Sequence, residues 1–400
     1  MGVSKRNPWL NGLGVLLAVL VAYAGQVRAD VTSDTPGSIV IYPKVIADGT
    51  RDTLIELTNT SNMGTSAHCW YFDATNNCQP NNFFVDLTPQ QPIWWRASTG
   101  RFTGETRCNS GLDGYKVCST AADCSTDVKC VATQGIFLGN VPPRIHFQGE
   151  LKCVQVDSSG VPMAANSLKG DALLETLASG QVSEYNAIAV QGMANPAPVC
   201  SGGPFDGQSC NPAQPNDNVN CCSQSSGLCG TCTTQLKLDN TTYNACPRDL
   251  VVTHYAEGAS DLFTGATVRS EITLVPCTED IETDRPTSLT SVPVIANFRV
   301  VDEIESAALS GAIPFTCWLN VSLDDIRLGG IYDSSVVGTF VKTRIPTASS
   351  APNAGLLGVL EEFHTLGLDT VGPAAPGSAA VNLHGQGSRS GGDVITLPQN

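Results

Sequence analysis

The chain reads as an exported all-β protein: two β-sandwich domains carrying two disulfide-rich loop insertions. Three observations predict this. The N-terminus has the layout of an export signal, the chain of 400 residues holds 16 cysteines, and its apolar residues fall in short runs separated by turns. No window of eleven or more residues carries a sustained helical period; residues 302–309 (DEIESAAL) are the best helix candidate, at two turns.

Lys5 and Arg6 precede an apolar run over residues 13–24 (LGVLLAVLVAYA), and Val27-Arg28-Ala29 fits a small-x-small cleavage site. The run is shorter than the ~20 apolar residues a membrane span needs, and no later stretch approaches that length. Residues 1–29 are therefore read as a signal peptide, with a mature chain from Asp30 that has no membrane span. Loss of Lys5, Arg6 and Arg28 takes the formal charge from −15 to −18. A surface that acidic repels nucleic acid and anionic lipid.

Strand signals begin at residues 38–42 (SIVIY), 53–58 (TLIELT), 67–74 (AHCWYFDA), 83–87 and 93–97. They continue at 136–138, 150–156, 172–177 and 185–190, completing a first sandwich domain over 30–195 with an insertion at 101–133. A cysteine-rich module over 196–247 follows. The second domain, 248–400, has strand runs at 250–254, 268–275, 292–301, 315–323, 338–345, 356–363, 379–383 and 393–397. In 315–323, Cys317, Leu319, Val321 and Leu323 share one face of a continuous strand.

The two Gly/Asn/Ser-rich segments resemble each other. Cys108 and Cys118 enclose nine residues with an Asp113-Gly114 turn, and Cys200 and Cys210 enclose nine with Asp206-Gly207. Each has a shorter loop further on, Cys124 to Cys130 and Cys222 to Cys229. With an export signal, all sixteen cysteines are disulfide candidates: these eight together with Cys69, Cys78, Cys153, Cys221, Cys232, Cys246, Cys277 and Cys317. Local pairing is expected, Cys69 with Cys78 across a hairpin and Cys108, Cys118, Cys124 and Cys130 among themselves, with Cys277 and Cys317 bridging strands of the second domain. Cys229-Gly-Thr-Cys232 has no second CxxC to complete a zinc site, and it lacks the strand–helix setting of a redox pair.

Residues 39–74 (IVIYP, DTLIELTNTSN, HCWYFDA) and the turn Leu87-Thr-Pro-Gln resemble the opening strands of bacterial immunoglobulin-like domains, pilus chaperones included. The resemblance covers residues 39–100 and implies an immunoglobulin-like sandwich. The basic residues with which pilus chaperones grip a pilin C-terminus have no counterpart here, so chaperone activity is not carried over. The cysteine modules resemble insertions of uncharacterised exported bacterial proteins.

Little in the sequence points to chemistry. The five histidines (His68, His146, His254, His364, His384) form no H-x-H or H-x-x-x-H pair, and G-x-S-x-G is absent. Residues 385–391 (GQGSRSG) miss the dinucleotide spacing and read as a hairpin turn. Asp280, Glu282 and Asp284 open like a calcium loop, but Arg285 stands where its glycine belongs; they remain candidates for a looser calcium site, the one cofactor the sequence suggests. Neighbours Glu361-Glu362 and Asp324-Asp325 would point to opposite faces of a strand, so neither pair can flank one glycosidic bond. Trp94 and Trp95 are the candidates for ligand stacking, because adjacent strand residues face opposite ways, which leaves room for one of them to be exposed. The expectation is a non-catalytic structural or binding protein, secreted, periplasmic or at the cell surface, with a protein or glycan partner. A carbohydrate-binding or glycan-degrading protein is the first alternative, an assembly chaperone the second. N-terminal sequencing of exported material should begin at Asp30; material retaining Met1 would overturn the export reading.

Overall fold

The computed structural model describes residues 31–101, 106–108, 117–118, 130–132, 141–201, 204–205, 208–210, 221, 231–281, 294–305, 308–347, 354–365, 377–389 and 392–397. The segment expected to be a signal peptide, the strand expected at 136–138, Asp113, Asp206, Glu282, Asp284, Cys124, Cys222 and Cys229 lie outside these residues.

The all-β expectation holds, but the two immunoglobulin-like sandwiches do not. Five small sheets stand as the blades of a five-bladed β-propeller. The first orders Ile188–Val190, Ile39–Ala47, Phe147–Val156, Thr65–Asp73 and Gln79–Leu87; the second, Gln181–Asn186, Leu168–Thr176, Arg51–Asn59 and Pro92–Arg96. The third holds Pro198–Ser201, Thr231–Leu238, Asp393–Leu397 and Glu279–Asp280. The fourth orders Ala308–Phe315, Val294–Asp302, Phe340–Pro346, Pro247–Tyr255 and His384–Ser388, and the fifth Leu319–Ser322, Thr267–Pro276, Leu356–Thr365 and Gly377–Asn382. A separate three-stranded sheet lies in the first cysteine segment. The blades are not runs of consecutive hairpins, since strands distant in sequence lie side by side. Among the described residues no helix is long and apolar enough to cross a membrane.

The reason for the correction is visible in Ile39–Ala47, which is buried at every position. In a two-sheet sandwich one face of each strand meets solvent. Here Val40, Tyr42 and Val45 pack with Ile55, Leu57, Trp95 and Leu174 of the second sheet. Ile39, Ile41, Trp70 and Phe72, on the opposite face of the first sheet, pack with Leu236, Leu238 and Ile395 of the third and with Val275 and Leu357 of the fifth. A further core joins fourth and fifth sheets through Phe298, Val300, Val341, Ile272, Leu274 and Leu360. The sheets thus cover one another in succession.

Several local expectations change as well. Residues 315–323 do not form one strand: Phe315 ends a strand of the fourth sheet and Leu319 begins one of the fifth. Between them Cys317 is bonded to Cys78, and Trp318 Nε1 donates to the Pro43 carbonyl at 2.8 Å. In place of the expected helix, Asp302 ends one strand, Glu305 at φ 54° donates its N–H to the Asp302 carbonyl at 3.0 Å, and Ala308 begins the next strand. Residues 385–388 of the expected hairpin turn belong to an edge strand, His384–Ser388, followed by Arg389, which is buried against Asp393 at 2.9 Å. Thr231–Leu238, inside a segment read as strand-poor, is an interior strand of the third sheet.

Two buried lysines tie the sheets electrostatically. The ladder of Ile39–Ala47 shifts register between Tyr42 and Val45. Pro43 has no N–H to give a ladder, which suits it to such a bulge. The backbone groups of Lys44 are satisfied by one phenol: its N–H donates to Tyr185 Oη at 3.1 Å, and the Tyr185 hydroxyl donates to its carbonyl at 2.6 Å. The Lys44 ammonium, fully buried, lies 2.8 Å from both Glu271 and Glu361, cross-strand partners in the fifth sheet. Arg51 of the second sheet reaches the same two carboxylates. Lys152 likewise joins Glu150, 2.8 Å away, to Glu279 of the third sheet at 2.6 Å.

Burial pushes the Glu271 carboxyl up, but Lys44 and Arg51 outweigh it and hold it at about 2. A pKa lowered on folding contributes stability above the unfolded value of about 4.3, and that contribution is lost as pH falls toward 2. Lys44→Met should cost about 3–5 kcal/mol at pH 7, because it strands buried carboxylates. The deficit should narrow at pH 3, where the variant can protonate them. Thermal melts at both pH values check this, and an equal deficit at each would assign the loss to packing instead.

Candidate functional site

The second sheet has one face in the core and one open. Along Pro92–Arg96 the burial alternates, so Ile93 and Trp95 point inward while Pro92 and Trp94 are exposed. Trp95 is 1% exposed and donates its Nε1–H to Tyr71 Oη at 2.6 Å; Trp94 is 65% exposed. The two tryptophans face opposite ways, and Trp94 is the exposed one of the pair.

Strand register sets what lies beside it. Glu56 is opposite Trp94, Asp171 is opposite Glu56, and Asn186 is opposite Asp171, so one row crosses all four strands. The next row carries Arg96, Leu54, Leu173 and Glu184. Trp94, Glu56, Asp171, Glu184, Leu54 and Leu173 line a depression of about 350 Å³. The support beneath is specific. Tyr42 Oη donates to the Glu56 carbonyl, and a Cβ on Gly170 would lie 2.0 Å from the Tyr42 hydroxyl and 2.5 Å from that carbonyl oxygen, so the position beside Asp171 requires glycine.

The electrostatics of this face are lopsided. Arg96 is engaged by Glu175 at 2.6 Å and by Asp52 at 3.5 Å. Thr58 donates to Glu56 at 3.0 Å. Burial and the charges of Glu56 and Glu184 raise the Asp171 carboxyl to about 6, with Lys169 offsetting part of the effect. No sequence signal paired Glu56 with Asp171, which are brought together by a long-range ladder; the acidic, alternating pattern of each strand was the only hint.

The other residues singled out in the sequence have structural roles. Glu361 and Glu362 do face opposite ways: Glu361 belongs to the Lys44 network, while Glu362 accepts from the Tyr255 N–H at 2.9 Å. Asp325 caps a 3-10 turn and grips Arg327. His68 is stacked on Phe84 with centroids 3.9 Å apart, and His254 bonds to the Tyr255 carbonyl and Thr343; burial depresses both rings to about 4, so they are neutral packing residues. His364 sits 2.9 Å from Asp261 on the surface. Asp280 is exposed on a two-residue edge strand, and its companions in the calcium candidate lie outside the described residues.

Among the described residues five disulfides are present, and their partners are corrected from those expected. Cys69 pairs with Cys153, its direct cross-strand neighbour, rather than with Cys78. Cys78 reaches Cys317 across the molecule, and Cys277 pairs with Cys246. Cys200 pairs with Cys221 and Cys210 with Cys232, so the nine-residue loop from Cys200 to Cys210 is not closed on itself. The sulfurs of Cys200, Cys210 and Cys221 lie within 4.8 Å of one another, but as two adjacent disulfides they offer no thiolate to zinc. Cys232 is likewise committed outside its CxxC. Of Cys108, Cys118 and Cys130 the backbone alone is described, in the separate small sheet.

Trp94 should report the local field. Relative to N-acetyl-tryptophanamide, its emission should be quenched better by caesium than by iodide. The preference should weaken as pH falls below about 6, where Asp171 takes up a proton. Trp94→Phe should remove most of the quenchable emission. Equal quenching by both ions would contradict an acidic surround.

Compared with known proteins, the chain matches no family model, no curated protein and no solved structure.

Proposed function

We propose that this chain is a non-catalytic binding protein acting outside the cytoplasm, and that it holds its partner on the open face of the second sheet. The observation that carries the reading is Trp94, a large aromatic left 65% exposed on a regular strand whose neighbour is wholly committed to the core. Leaving that much apolar surface in water forgoes burial worth roughly 1.5–3 kcal/mol for a large side chain, and tryptophan is among the residues enriched at binding hot spots. The disulfides are compatible with an oxidising, extracellular setting. Of the carboxylate pairs that the sequence offered for catalysis, Glu361 is tied to Lys44 and Arg51, Glu362 to the Tyr255 N–H and Asp325 to a turn cap. The depression is acidic, opposite in sign to the grip of a pilus chaperone.

A glycan ligand is the second reading, favoured by the same Trp94 platform with Glu56 and Asp171 at its side. Mature protein should be retained on the cell-envelope fraction of the producing cells, and Trp94→Ala should lower retention at least about tenfold, the equivalent of 1.4 kcal/mol, without lowering the melting temperature. Unchanged retention would remove this face as the binding surface. Turnover of chromogenic glycosides that is abolished by Asp171→Asn would replace the non-catalytic reading with a glycan-degrading one.

A further inference from the structure

Glu56 and Asp171 are directly opposed on adjacent antiparallel strands, with both side chains on the open face. Such partners have Cβ atoms about 4.5–5.5 Å apart, and like charges there destabilise a sheet. Glu184 adds a third carboxylate on the diagonal from Asp171, about 7–8 Å away on the same face. Against these stands Lys169, two residues along the Asp171 strand; Arg96 is occupied by Glu175 and Asp52. The molecule could relieve this repulsion with one basic residue, as it does for Glu271 and Glu361, yet here it presents the carboxylates outward beside an exposed indole.

This combination suits one kind of occupant. The face of a tryptophan attracts an ammonium or guanidinium group, and carboxylates flanking the ring complete its hydrogen bonds. A neutral sugar would stack on the ring but leave the opposed charges uncompensated. The formal charge of −15 over the whole chain draws cationic partners and repels anionic ones. The row from Trp94 to Asn186 spans three inter-strand spacings, about 14 Å, the length of an extended segment of four or five residues.

Resting on the binding face assigned above, we propose that the open face of the second sheet docks a basic, extended peptide segment of a partner protein, with an arginine or lysine head group on Trp94 between Glu56 and Asp171. The like-charged pair is then the recognition element, relieved when the cation arrives. The groups facing Asp171 are Glu56 on one side, Glu184 on the other, Lys169 on its own strand and the neutral hydroxyl of Tyr42 beneath; below pH about 6 Asp171 protonates and its contribution to docking is lost.

The test uses mature protein and three probes followed by Trp94 emission and calorimetry: the peptide Gly-Arg-Gly-Lys-Gly-Arg, its Glu-substituted counterpart, and cellopentaose. The basic peptide should bind, more weakly as salt rises and as pH falls through 6, while the acidic peptide and the neutral sugar should not. Trp94→Ala should weaken it at least about tenfold. Asp171→Asn should weaken it too while raising the melting temperature, a divergence that a residue serving only the fold would not produce. Binding of cellopentaose in place of the basic peptide, lost in Trp94→Ala, would keep the binding face and overturn the cationic partner. Basic-peptide binding unaffected by Trp94→Ala, or an Asp171→Asn variant that melts lower, would also overturn the proposal.

Discussion

A lysine ammonium without access to water can remain charged only where carboxylates meet it, since the cost of stripping its hydration runs to several kcal/mol. Lys44 imposes that condition on this fold. Its strand belongs to the first sheet, its two carboxylates to the fifth, the guanidinium that shares them to the second, and the phenol that satisfies its backbone also to the second. None of these groups is properly placed unless three sheets have come together. The bulge at Pro43 is the device that turns the lysine toward the fifth sheet, and Trp318 secures the freed carbonyl from the far side. Lys152 repeats the arrangement between first and third sheets.

That central junction is what leaves the second sheet with an open face. The first sheet is covered on both sides at its centre, so Ile39–Ala47 reads as a nearly continuous apolar run. The second sheet contributes only one side to the shared core, and its strands alternate accordingly. Trp95 and Trp94 show the consequence in two consecutive residues, one hydrogen-bonded to Tyr71 within the core and the other in water. A rigid platform results, because every outward side chain is anchored by an inward neighbour.

Strand existence was legible in the sequence because it depends on local alternation. The runs at 53–58 and 268–275 lie within observed strands for that reason, and the division of Trp94 from Trp95 follows from the period of two. Sheet packing was not legible. An apolar run such as IVIYP says that a strand is buried on both faces, but not by which sheets. Disulfide partners failed for the same cause: Cys69 and Cys153 are 84 residues apart and meet through register, which no spacing rule encodes. Thr231–Leu238 escaped notice because threonine-rich alternation was read together with the glycines around it. The opposition of Glu56 and Asp171 arises from a ladder between distant segments, so neither residue is conspicuous in the linear sequence.

The bridge from Cys78 to Cys317 joins positions 239 residues apart, one in the turn that follows a strand of the first sheet and the other between the fourth and fifth. A protease that cuts the backbone anywhere between those two cysteines therefore produces two pieces that stay covalently attached. Each piece also keeps strands that the other must cover. In a proteolytic milieu such a nicked molecule would sediment and migrate as the intact chain until reductant separated it, so its persistence there is set by thiols as much as by peptidases.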